Sequence, residues 1–170
     1  MLIKERTMNR MALMLATSSM FFLVMTGCGG GGGGTSVRQQ RTATITFSTV
    51  SSAHKAPLQG IQVTTKLPAG ASVSNITSAL RGLNDTGQLG PSAYNPPAVS
   101  FIVQSNGTAP IKFGPFAELT CDIATGFTLD QSSFSILSGD LQMTGKDANG
   151  TTIDLVPQLG PVKLSVTFGF

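Results

Sequence analysis

Residues 42–170 predict an all-β domain, and three observations carry that prediction. Apolar residues recur at every second position, the strand period, and not at helical spacing. Thr, Ser, Val, Ile and Phe dominate the alternating runs, the side chains that suit a pleated, half-buried surface. Turn signals built on Gly, Pro and Asn separate the runs at short intervals. About eight or nine short antiparallel strands at this spacing make a sandwich or a barrel.

Taken in order, "TATITFSTV" sets Ala43, Ile45 and Phe47 against Thr44, Thr46 and Ser48. "LQGIQVTTKL" sets Ile61 and Val63 against Gln62 and Thr64, and Pro68-Ala69-Gly70 then turns the chain. Residues 82–97, "GLNDTGQLGPSAYNPP", form the longest break in the pattern. Their Gly, Pro, Asn and Asp content predicts a loop, and long loops in compact domains often carry function. In "PAVSFIVQS", Val99, Phe101 and Val103 share one face, while Ile102 on the other predicts cover there too. "FAELTCDIA" places Ala117, Leu119, Cys121 and Ile123 inward and Glu118, Thr120 and Asp122 outward. "SFSILSG", "LQMTGKD", "TTIDLV" and "KLSVTFGF" complete the set, with Lys146-Asp147-Ala148-Asn149-Gly150 reading as a hairpin turn. No helix is predicted within residues 42–170.

The start of the chain has a different character. Lys4, Arg6 and Arg10 precede the uncharged run "MALMLATSSMFFLVM" at 11–25, which is too short for a spanning helix of about 20 residues. Thr26-Gly27 then leads into Cys28 and six glycines. A run of glycines loses more backbone freedom on folding than any other sequence, so it predicts a flexible tether. The order basic, apolar, small, cysteine resembles the lipobox of bacterial lipoproteins. That resemblance implies a signal peptide over 1–27 and acylation of Cys28, which becomes the mature amino terminus. It also implies anchoring in a membrane, and Gly29 in place of aspartate points to the outer membrane of the cell envelope. Residues 28–41 then form a linker with a reach of roughly 20 Å.

The formal charge of the whole chain is +3, but three basic groups and one acid lie within residues 1–27. Beyond Arg41 there are six basic and seven acidic residues, a formal −1. No basic stripe is left in the domain, which argues against nucleic acid as a partner. Residues 42–170 have the length of one domain and enough chain to bury a core without staples. Cys121 has no second cysteine in the domain to pair with, and its alternation predicts a small core residue.

Chemistry is thinly represented. The chain has one histidine, His54, in the loop-like "SSAHKAP", where nothing predicts the orienting partners of a catalytic base. Glu118 and Asp122 share a strand face, but a glycosidase pair needs a cleft and a set separation. Asp140, Asp147, Asn149 and Asp154 gather in one hairpin region without calcium-loop spacing or its closing glutamate. A non-enzymatic domain without metal or cofactor is the expectation. The chain has no Trp and a single Tyr, Tyr94. A flat aromatic strip for crystalline polysaccharide is therefore missing, whereas soluble glycan could still be held by polar side chains. Phe47, Phe101 and Phe134 read as core, and Phe113 and Phe116, flanking Gly114-Pro115, as partly exposed.

"PLQGIQVTTKLPAGASVSNIT", followed by "GPFAELTCDIATGFTLDQSSFSI", resembles the cohesin-like domains of bacteria, in the superfamily that also holds cellulose-binding sandwich modules. The resemblance implies a jelly-roll-like β-sandwich over 42–170. Cohesins dock dockerin modules through one sheet face, and their relatives bind polysaccharide. By that resemblance, the chain is expected to be a membrane-tethered, non-catalytic protein-binding or assembly module, with polysaccharide binding as the alternative. The candidate binding surface is the polar face of Glu118, Thr120 and Asp122, with Tyr94 in the neighbouring 82–97 loop.

Overall fold

The computed structural model describes residues 39–50, 56–107, 109–137 and 139–170. The segment read as a signal peptide, Cys28, the glycine run and His54 lie outside the described residues. Among the described residues, eleven strands pack as two antiparallel sheets, a β-sandwich. In the first sheet, β11 (Lys163–Gly169), β1 (Thr42–Ser48) and β7 (Pro115–Ile123) lie side by side. β3 (Ala71–Ser72) and β4 (Leu80–Gly82) both pair with the far edge of β7, at different heights. The second sheet runs β10 (Thr152–Asp154), β9 (Gln142–Lys146), β2 (Leu58–Lys66), β6 (Ala98–Ser105) and β5 (Gly87–Asn95). β8 (Ser135–Ile136) pairs with the end of β2.

The predicted alternation becomes the core directly. Ala43, Ile45 and Phe47 of β1 are buried, as are Leu119 and Cys121 of β7 and Val99, Phe101 and Val103 of β6. The inner faces meet through Phe47 of the first sheet and Phe101 of the second, edge to face with centroids 5.0 Å apart. Such pairs add roughly 0.5–1.5 kcal/mol beyond the area they bury. Phe134 is buried as predicted, but Phe116 is not partly exposed: it is fully buried, tilted against Phe47. The cause is a register shift in which Phe47 pairs with Ala117 and Ser48 with Pro115. The extra residue lets Phe116 and Ala117 both turn inward.

Two further expectations give way. Residues 82–97 are not a loop, because most of them form β5, nine residues paired along β6. Gly90 and Pro91 fall where the β5 register shifts. An edge strand tolerates both, because one of its sides has no partner for a proline N–H to serve. Short helical turns also occur at α1 (Ile76–Ala79), at a 3-10 turn over Gln131–Ser133, and at α2 (Val156–Leu159). Each is too brief to show a helical period in sequence. Asn75 caps the first by accepting from the Thr77 N–H at 2.9 Å, and Asp130 caps the second through a reciprocal pair with Ser133.

Candidate binding faces

β1 lies between β11 and β7, so its outward side chains form the middle of the first sheet's outer face. Register fixes the rows. Ser165, Thr46 and Glu118 stand in one, and Thr167, Thr44 and Thr120 in the next. A third row runs Gly169, Thr42 and Asp122, with Ser72 of β3 beyond. Thr and Ser fill the middle of this face because period two sends every second residue of β1 outward. A threonine there offers a methyl and a hydroxyl together, so the surface mixes apolar area with donors and acceptors.

Charge stands at the margin of this face. Arg81 of β4 reaches Glu118 at 2.9 Å, with Arg81 largely exposed and Glu118 23% exposed at the side chain. Ser74 Oγ donates to the Asp122 carboxylate. Lys163 lies opposite Ser48 at the other end. Glu118, Thr120 and Asp122 are thus brought together as predicted. Tyr94 is not with them: it belongs to the second sheet, opposite Val99, and its half-buried ring packs against the core. It lines a cleft of about 580 Å³ with Lys66, Pro96 and Pro97.

The perturbed titratable groups have structural causes. Lys112 bonds both carboxylate oxygens of Asp85, at 2.9 and 2.8 Å, and holds that acid below its ordinary range. The hydroxyls of Ser132 and Ser133 do the same for Asp130. Burial pushes the Cys121 thiol up to about 11, although its Sγ lies 3.5 Å from the Ala43 carbonyl. A thiol that far from ionising is a poor nucleophile. Among the described residues no group of three or more His, Cys, Asp or Glu side chains is placed to hold a metal ion. Asp147 is occupied by its turn, where it accepts from the N–H groups of Asn149 and Thr151, both at 2.8 Å.

Two concavities escape sequence reasoning because their walls come from distant segments. An aliphatic cleft of about 550 Å³ lies among Ile136, Leu141, Val156, Val162 and Leu164. A smaller depression sits on the outer face of the second sheet, around Gly60. Compared with protein-family models, curated proteins and solved structures, the chain matches none.

Proposed function

We propose that this chain is a lipid-anchored protein of the bacterial cell envelope, seated in the outer membrane, whose sandwich is a non-catalytic module that docks a protein partner. One observation carries the docking reading: the outer face of β11, β1 and β7 has Thr and Ser at its centre and charge at its margin. In one respect this matches protein interfaces, where charge is depleted from the core and the rim is polar. The resemblance to cohesin-like domains, whose sheet face docks other modules, supports the same reading. The anchor rests on the sequence around Cys28, where two or more acyl chains would give stable attachment.

Two experiments test this function. Mass spectrometry of the membrane fraction is expected to find acyl chains on Cys28, and Cys28→Ser is expected to release the protein. Equal membrane retention of that variant would rule out the anchor. For docking, cross-linking in intact cells followed by mass spectrometry is expected to recover an envelope protein linked to this face. Thr44→Arg with Thr120→Arg, at row neighbours of which Thr120 is exposed and Thr44 half-buried on the outer face, should abolish that recovery without unfolding the sheet. An undiminished cross-link would refute the assignment of the face.

A further inference from the structure

The outer face of the second sheet carries a depression of about 180 Å³ whose polar walls are Gln62, Gln104, Gln142 and Thr144. Four residue pairings, in the β2–β6 and β2–β9 ladders, place these side chains together. Gln62 of β2 stands between Gln142 of β9 and Ile102 of β6, and in the next row Gly60 stands between Thr144 and Gln104. Gly60 is the floor. A Cβ there would come within 2.8 Å of Thr144 Oγ1, so any larger residue would close the hollow. A register shift in the β2–β9 pairing, between Leu58 and Gly60, turns Gly60 outward while Leu58 faces the core. Ile102, half-buried, supplies the apolar side; no further layer covers it among the described residues.

The chemistry of the lining is narrow. No ionisable side chain takes part. None of the three amides has a hydrogen-bond partner among the described residues. Each offers two N–H donors and a carbonyl acceptor, and Thr144 offers a hydroxyl that does both. Neighbouring sugar hydroxyls, each donor and acceptor at once, match such a set, and an aliphatic wall matches the C–H edge of a sugar ring. An anion would find no cation in this lining, and an apolar ligand would strip water from three amides without replacing it. We infer that this depression is a subsite for one residue of a neutral, soluble glycan. The site lies on the opposite sheet from the protein-docking face, so either assignment can fail without the other.

Affinity electrophoresis of the purified full-length chain tests the inference. The gels would contain soluble neutral polysaccharides (mixed-linkage β-glucan, glucomannan, arabinoxylan or soluble starch), with polygalacturonate as the anionic control. At least one neutral polymer should retard the chain, and equally between about 0.05 and 0.5 M salt, because no charge pair is involved. Gln62→Ala and Gln104→Ala are surface truncations that keep the strands, and each should weaken retardation about tenfold, the loss expected for one or two hydrogen bonds. Circular dichroism of each variant would confirm that the sheet content is unchanged. Three results would overturn the assignment: no retardation by any neutral polymer, retardation by polygalacturonate alone, or retardation that survives in the double variant.

Discussion

A thiol held at 1% exposure beside a backbone carbonyl has lost most of its chemistry to its surroundings. Burial raises the Cys121 pKa from 9.0 to about 11, so the folded state binds this proton more tightly than the unfolded chain does. The stability this confers is complete below pH 9 and is lost as pH climbs through 11, amounting to roughly 2–3 kcal/mol. Thermal melts over pH 8–11.5 should therefore fall more steeply for the native chain than for Cys121→Ala. A thiol-reactive chromophore at pH 8 should label Cys121 only as fast as the domain opens. Phe101 makes the complementary case in packing. It is 1% exposed and joins the two inner faces through Phe47, so Phe101→Ala should cost roughly 3–5 kcal/mol in urea unfolding. Arg81→Ala should cost under about 1 kcal/mol, because its partner Glu118 sits at the surface and salt screens the pair.

Among the elements, the β9–β10 hairpin is the one whose turn chemistry is most local. Asp147 Oδ1 accepts two N–H groups across the turn, and Gly150 takes a positive φ of 80° that a side chain would resist. Asp147→Ala should cost about 1–2 kcal/mol, with early amide exchange confined to residues 142–154. That turn was legible in sequence because every residue it uses lies within five positions. The eight alternating runs are legible for a related reason: each corresponds to a strand, since burial of one face imposes period two. β5 was hidden because its partner β6 supplies the pairing that "GQLGPSAYN" does not advertise. β3 and β4 are two and three residues long, held by β7 and not by their own propensity. The candidate face was half legible: outward Glu118, Thr120 and Asp122 follow from alternation, but β1 and β11 as their neighbours follow only from topology. Tyr94 was misplaced because reading β5 as a loop removed the parity that points its ring inward.

At the scale of the molecule, two sheets of unlike surface share one core. The first presents hydroxyls, and the second presents amides around Gly60. Glu118→Lys would set a second cation beside Arg81 and should slow partner association while weakening its salt dependence, with little change in the melting temperature. The chain before Arg41 enters the domain at β1, which is bonded along its length to β11 on one side and β7 on the other. That placement has a mechanical meaning. Under the proposed anchoring and docking, tension entering from the segment before Arg41 would run along β1, and the ladders on both flanks would have to slide together instead of opening one bond at a time. Drag between the proposed membrane anchor and a docked partner would then be resisted in shear within the sheet, with rupture governed by an unfolding rate instead of an equilibrium stability.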